Sequence, residues 1–370
     1  MKLVVAKEAL LEGLQRTQSV VSARPALPVL SNALLEASEG ELSITATDQS
    51  TTIQCRIPAV VEAPGATTLP ARRLAAIARE LCSGDVAIET DSGNTSTIRC
   101  MSSLFRMFGL PKEEFPELFE IKDAVRVSME QPVLFEGLKC TSYAISTDES
   151  RYTLNGILFS LKNKRLTLVA TDGRRLALYE VEVQSPYDQQ ELEFIVPTKT
   201  VSELQRLLRA GGKLTLSIAK NVVAFHLGTV FLISKLVEGK YPNYRQVIPS
   251  GTSERIKLER EIFLSAVKRV SLLSLSKASS VCLALTKNKM DITAVTPEIG
   301  EAKESLSIVY RGKDFSIAFN PEFLVDPLRN ISDEQVDLEF FNGMGPSVLR
   351  AMSRETFLYV LMPMRIPPVS

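Results

Sequence analysis

Apolar and polar residues alternate in the same phase in three short segments of this 370-residue chain. The segments are Glu41–Asp48, Arg165–Asp172 and Lys289–Thr296, and they stand 124 residues apart. Leu42, Ile44 and Ala46 in the first correspond to Leu166, Leu168 and Ala170, and to Met290, Ile292 and Ala294. A period of two sends successive side chains to opposite faces, so each segment predicts a strand with one buried and one solvated face. Three copies in phase predict a triplicated domain.

Helical patterns keep a similar spacing. Leu10-Leu11-Glu12-Gly13-Leu14 returns as Leu134-Phe135-Glu136-Gly137-Leu138 and, more weakly, as Phe263-Leu264-Ser265-Ala266-Val267. Pro70, Pro197 and Pro321 each follow a short apolar strand and precede an apolar-periodic helix, where proline suits the first turn because its missing N–H has no partner there. The six predicted helices cover residues 7–21, 71–81, 131–146, 198–209, 260–274 and 322–331. Phe115-Pro116, Tyr241-Pro242 and Met362-Pro363 lie near the three repeat ends. The unit reads strand, helix, strands, strand, helix, strands, an α+β architecture. Boundaries near residues 122–125 and 250–254 divide the chain into 1–124, 125–250 and 251–370, each of ordinary domain size.

Net charge is zero, but its distribution is uneven. The six predicted helices hold 13 basic residues against eight acidic ones, so the rest of the chain carries the opposite excess. If equivalent helices line one side of a curved assembly, their charges add into a surface that attracts phosphates without reading sequence. Apolar runs such as Val230–Ile233 are too short to span a bilayer. The N-terminus Met1–Lys7 is interrupted by charge too soon to read as a signal peptide. Cys55, Cys82, Cys100, Cys140 and Cys282 are scattered without CxxC spacing, which predicts reduced, mostly buried thiols in a cytoplasmic protein.

Catalytic patterns are missing. His226, the only histidine, falls in the alternating run Asn221–Ser234 and reads as a strand residue. No HExxH, CxxC or EF-hand spacing occurs, so neither a metal nor another cofactor is expected. Gly212-Lys213, Gly239-Lys240 and Gly312-Lys313 lack the following Ser or Thr of a Walker A loop. Gly343-Met344-Gly345-Pro346 reads as a turn. Asp48 and Asp172 occupy equivalent repeat positions but meet Thr296 in the third copy, so they read as turn aspartates rather than an acid–base pair. A non-enzyme is predicted.

Several longer stretches carry a resemblance. Arg24-Pro25-Ala26-Leu27-Pro28, Asp148–Gly156, Ala170–Leu176, Tyr241-Pro242-Asn243-Tyr244 and Tyr359–Arg365, in this order, resemble the bacterial DNA polymerase III beta subunit, the sliding-clamp family. The resemblance runs from Met1 to about Ile366. It implies a head-to-tail homodimer closing a ring around duplex DNA, with helices lining the hole and antiparallel sheets outside. It also implies sequence-independent DNA contact and tethering of the DNA polymerase III alpha subunit. The clamp loader, other polymerases and repair proteins with clamp-binding peptides would be further partners. The competing readings are a catalytic protein built from β-rich repeats and a β-rich scaffold or interaction protein without a DNA partner.

The resemblance also implies sites. A peptide groove would use Leu154, Thr171, Gly173, Arg174, Arg175, Leu176, Pro242, Val247, Val360, Met362, Pro363, Met364 and Arg365, with Asn320 and Phe323 on its third-domain side and arginines at the rim. DNA would meet Arg24, Arg72, Tyr152, Lys199, Arg206 and Arg209. The dimer seam would join Phe105 and Met107 to Leu272 and Leu273, with Arg73 and Arg79 facing Glu298 and Glu301. Adjacent leucines cannot both centre one helical face, which favours an interface role for one of them. This chain departs from the family pattern at Gln246, at Thr153 beside Tyr152, and in the tail Pro367–Ser370. Pro327 is expected to kink or shorten its helix.

Overall fold

The computed structural model describes residues 1–22, 26–119, 121–122, 124–185, 191–251, 254–273, 280–296, 299–341, 345–352 and 356–365. The first repeat runs β1 (Lys2–Ala6), α1 (Lys7–Thr17), β2 (Asn32–Ser38), β3 (Glu41–Thr47), β4 (Thr51–Pro58), β5 (Val60–Ala63), β6 (Gly65–Pro70), α2 (Ala71–Glu80), β7 (Asp85–Thr90), β8 (Thr95–Cys100) and β9 (Ser103–Phe108). The second runs β10 (Val125–Glu130), α3 (Gln131–Thr141), β11 (Gly156–Lys162), β12 (Arg165–Thr171), β13 (Arg175–Glu182), β14 (Leu192–Pro197), α4 (Thr198–Leu207), β15 (Lys213–Ile218), β16 (Val222–Leu227) and β17 (Val230–Lys235). The third runs β18 (Glu254–Glu259), α5 (Arg260–Ser271), β19 (Val281–Thr286), β20 (Lys289–Thr296), β21 (Gly300–Ser307), β22 (Phe315–Phe319), α6 (Pro321–Asn330), β23 (Gln335–Phe340), β24 (Ser347–Ala351) and β25 (Phe357–Leu361). The strand–helix order is the predicted one, with β5 as an extra strand in the first copy.

The repeated sequence segments pack on one another. Leu42, Ile44 and Ala46 of β3 are fully buried, as are Leu166, Leu168 and Ala170 of β12 and Met290 and Ile292 of β20, with Ala294 nearly so. Gly13 of α1 lies where an added Cβ would stand 2.9 Å from Ile44 Cδ1, and Gly137 of α3 where it would stand 2.6 Å from Leu168 Cδ1. The glycine of the repeated helix motif therefore allows close approach to the repeated strand. The third copy has Ala266, also fully buried, at this point.

Helix ends differ from the sequence pattern. α1 and α3 stop at Thr17 and Thr141 rather than at residues 21 and 146. Thr17 Oγ1 donates to Gly13 O at 3.0 Å and Thr141 Oγ1 to Gly137 O at 2.7 Å, local bonds of a kind that competes with helix continuation. Pro70 and Pro197 end strands, and only Pro321 is a first helical residue. Pro327 does not shorten α6, which has ten residues like α2 and α4.

Contacts divide the chain into two compact units. The first comprises Met1–Phe135, Val183–Asp188 and Ser202–Leu236. It holds a five-stranded sheet, β5-β1-β7-β8-β9, and an eight-stranded one, β10-β15-β16-β17-β4-β3-β2-β6. The second comprises Glu136–Glu182, Gln189–Val201 and Val237–Ser370. It holds an eight-stranded sheet, β14-β11-β12-β13-β25-β24-β23-β18, and a four-stranded one, β21-β20-β19-β22. Each eight-stranded sheet joins strands of two successive repeats, through β4 with β17 and through β13 with β25, both antiparallel.

Candidate functional site

The β13–β25 junction positions the expected groove residues. Leu176 pairs with Val360 and Leu178 with Leu358, so these four share one face of the sheet. They belong to a buried cluster with Leu154, Leu158, Val169, Ile195, Tyr241, Tyr244 and Val348. The chain from Tyr241 onward buries both tyrosine rings, then a 3-10 turn over Tyr244–Val247 leaves Val247 49% exposed; Pro242 is exposed too. Met362 is 44% exposed, and its N–H donates to Arg174 O at 2.9 Å. Accessible apolar surface at this junction thus comes from Val247 and Met362 above a buried aliphatic floor. Met364 N donates to Ala318 O at 2.7 Å, which ties the following segment to β22; Pro363 is half-buried and Arg365 exposed.

A tight turn leads into β13. Asp172 Oδ1 accepts from the N–H groups of Arg174 and Arg175, Thr171 Oγ1 accepts from Gly173 N and donates to Arg175 O, and Gly173 takes φ +84°. Asp48 Oδ1 accepts from Ser50 N and Thr51 N in the first repeat, so both aspartates are turn residues as the sequence indicates. Exposed Arg174 lies at the tip of the second turn.

Arg175 is set apart from the aliphatic cluster. Strand alternation turns it to the face opposite Leu176, where its side chain is 11% exposed. Nε donates to Asp172 Oδ2 at 3.1 Å, Nη1 to Asp326 Oδ2 at 2.7 Å and Nη2 to Tyr143 O at 2.6 Å. The guanidinium also lies 4.5 Å from the Phe323 ring centroid. Burial opposes its charge, but Tyr359 and the Asp326 and Asp172 carboxylates around it more than offset that and raise its pKa. Arg174, Arg175, Asn320 and Phe323 border a polar cavity of about 1040 Å³ with Tyr143 and Asp326. Asn320 also caps α6, its Oδ1 accepting from Glu322 N at 2.9 Å. The expected groove residues therefore fall on two faces of one sheet. Tyr143 and Asp326 were not singled out from sequence; Asp326 stands three residues after Phe323 on α6, a spacing that puts both on one helix face.

The β4–β17 junction has the same backbone and different chemistry. Lys235 N donates to Ser50 O at 2.9 Å, the counterpart of Met362 N to Arg174 O. Thr52 pairs with Ile233 where the other junction pairs Leu176 with Val360. Thr51 replaces Arg175 and Lys235 replaces Met362. With threonine and lysine at these points, the first junction offers no comparable apolar floor.

The described residues expected to meet DNA are all exposed, and Arg206 and Arg72 are also hydrogen-bonded to backbone carbonyls. Tyr152, Lys199 and Arg209 are exposed, and Arg209 lies 3.9 Å from Glu12. Arg206 is held: Nη1 donates to Gln15 O at 3.1 Å, and Nη2 to Arg16 O and Ser19 Oγ, both at 2.6 Å. Two of these acceptors are last-turn carbonyls of α1, the negative end of a helix dipole. Arg72 Nη2 donates to Val21 O at 2.9 Å. Arg24 lies outside the described residues.

Of the expected seam residues, Phe105 is 37% exposed on edge strand β9, while Met107 is buried. Leu104 and Phe108, on the other face of β9, are exposed, a feature the sequence reading missed although strand parity separates them from Met107. Leu272 is 73% exposed just after α5, and Leu273 is half-buried. Arg73 and Arg79 on α2 and Glu301 on edge strand β21 are exposed; Glu298 lies outside the described residues. Among the described residues, no group of three or more metal-ligating side chains could hold an ion. His226 lies on β16, half-buried, with Phe231 edge-on to it at 4.7 Å.

Comparison with known proteins bears on the whole chain. Models of the N-terminal, central and C-terminal domains of the DNA polymerase III beta subunit match residues 1–119, 128–243 and 245–365. The beta sliding clamp of Chlamydia muridarum is 33% identical over 366 residues, covering 99% of this chain and 99% of that protein. A DNA polymerase sliding clamp from Bacillus subtilis superposes with a TM-score of 0.95 at 27% identity, covering 99% of this chain and all of that one. A sliding clamp from Pseudomonas aeruginosa bound to griselimycin does so with a TM-score of 0.94 at 33% identity and the same coverage.

Proposed function

The chain belongs to the DNA polymerase III beta-subunit family, and we propose that two copies close head to tail into a ring that slides on duplex DNA and tethers its partners through the β13–β25 groove. It is a DNA sliding clamp, a processivity factor and not an enzyme. It consists of three repeated clamp domains, for which we keep the division 1–124, 125–250 and 251–370. A scaffold without a DNA partner is not favoured.

Topological retention explains why strong attraction is unnecessary. A closed ring is held mechanically, so a modestly basic helix lining can move along phosphates that look alike. Lys199, Arg209 and Tyr152 are exposed candidates for such contact, as are Arg72 and Arg206. The seam would bring β9, with exposed Leu104, Phe105 and Phe108, to Leu272 and β21 of the second copy. Head-to-tail contacts close a ring only if the rotation between copies closes, and six domains in two chains would meet that condition.

The apolar groove is the single observation that carries the tethering role. An extended peptide with a glutamine and large aliphatic or aromatic residues would insert beside Leu176, Val247, Val360 and Met362. Its sources would be the polymerase alpha subunit, the clamp loader, and other polymerases and repair proteins. Methionine and aliphatic side chains make an adaptable surface suited to several sequences. The cytoplasm is the proposed place of action; among the described residues no helix is long and apolar enough to cross a membrane. Fluorescence anisotropy of a labelled peptide of this type against the intact protein tests the groove; no binding at any attainable concentration contradicts it.

A further inference from the structure

We propose that Arg175 is a positioning residue for the groove: its guanidinium latches the floor strand β13 to helix α6 and sets the floor without touching the peptide. The inference rests on the reading of the β13–β25 junction as a peptide groove. Three observations support it. First, the guanidinium is already occupied by Asp172, Asp326 and the Tyr143 carbonyl, and it stacks beside Phe323. Second, the flanking residues build the groove: Leu176 lies on the floor and Arg174 O holds Met362 N at 2.9 Å. A shift of β13 along α6 would therefore move both the floor and the strand that carries Met362.

The third observation comes from the other junction. Asp48 and Thr47 close the turn before Thr51 with the bonds that Asp172 and Thr171 make before Arg175: Thr51 N to Asp48 Oδ1 at 2.6 Å, and Thr47 Oγ1 to Thr51 O at 3.1 Å. That turn forms without an arginine. The bonds from Arg175 to Asp326 and Tyr143 thus serve something the first junction lacks, and the apolar groove is the difference. Arginine suits the task because its rigid fork satisfies several acceptors in fixed directions, which lysine cannot reproduce.

The test uses the full-length protein and a fluorescein-labelled peptide bearing a glutamine and leucine and phenylalanine anchors. Kd is measured for wild type, R175K, D326N and the double variant, with Met362→Ala as the groove control, and hydrogen exchange is followed for the α6 amides. D326N and R175K are each expected to weaken the peptide about threefold to tenfold. The double variant is expected to be no weaker than the worse single one, since both break one bonded unit, and α6 amides are expected to exchange faster. Loss of affinity in R175K with wild-type binding in D326N would assign Arg175 a direct contact and overturn the latch. Unchanged affinity in both would overturn it as well. If Met362→Ala binds like wild type, the groove reading itself fails. Exchange of α6 then decides the latch: faster exchange in both variants supports it, and unchanged exchange overturns it.

Discussion

The backbone N–H of Met362 donates to the carbonyl of Arg174 at 2.9 Å, fixing an exposed thioether side chain beside the strand that supplies Leu176. The same bond at the other junction fixes Lys235 instead. Partner peptides are therefore expected at one junction of each chain. Burial of one leucine-sized anchor contributes about 1.5–3 kcal/mol, so isolated peptides bind weakly and tethering on DNA supplies effective concentration. Met362→Ala is expected to weaken a labelled polymerase-tail peptide by about tenfold or more in fluorescence anisotropy. Dimerisation and DNA encirclement are expected to be unaffected. Equal affinity for both proteins would show the pocket to be elsewhere.

Two arginines on adjacent turns of the α4 region are expected to behave differently. Arg209→Ala removes an exposed cation, so DNA affinity is expected to fall equally across sequences and the salt slope to drop by about one. Arg206→Ala removes bonds to Gln15 O, Arg16 O and Ser19 Oγ. It is expected to lower unfolding stability by about 1–3 kcal/mol with little change in the salt slope. Denaturant unfolding and binding at several salt concentrations separate the two; a full unit lost from the slope in Arg206→Ala would contradict this division.

Replacement of Leu272 and Leu273 by alanine is expected to give monomers that remain folded, because Leu272 is 73% exposed and Leu273 half-buried just after α5, so neither is a centre of the core. Complete burial of such side chains is worth about 2–5 kcal/mol each. Sedimentation and circular dichroism read the two outcomes, and wild type already monomeric at micromolar concentration would count against the ring.

His226 is a single-site reporter of the first unit, since the chain has no other histidine. Burial, with a smaller contribution from the Arg126 charge, lowers its pKa below 6.5. The folded-state value is below the unfolded one, so the unfolded chain takes up the proton first as pH falls. The stability tied to neutral His226 is present above pH 6.5 and is lost as pH falls from there through the folded-state pKa. Proton NMR of the imidazole is expected to show a midpoint below 6.5 that rises in Arg126→Gln; a wild-type midpoint at or above 6.5 would contradict the burial argument.

The repeat was legible in sequence because its signal is local. Leu166, Leu168 and Ala170 announce the buried face of β12, and Gly137 lies on the helix that rests on it. Helix ends were less legible, since at Thr17 and Thr141 the side chain bonds back to carbonyls of its own helix, a local competition that apolar periodicity does not register. Strand parity puts Arg175 and Leu176 on opposite faces although both were expected in one groove; which face is lined by β25 depends on a strand about 180 residues away, and no local pattern specifies that pairing. The occupation of Arg206 likewise depends on where α1 ends relative to α4, a tertiary fact absent from charge counts.

Retention on circular DNA tests the central claim most directly. Protein diluted to monomers is concentrated in the presence of nicked circular plasmid, moved to high salt and gel-filtered before and after linearisation of the plasmid. A ring is expected to co-elute with the circle, because salt screens phosphate contacts but not topology, and to run off once the plasmid has ends. Equal retention on circular and linear DNA, or equal loss from both at high salt, would contradict a sliding clamp.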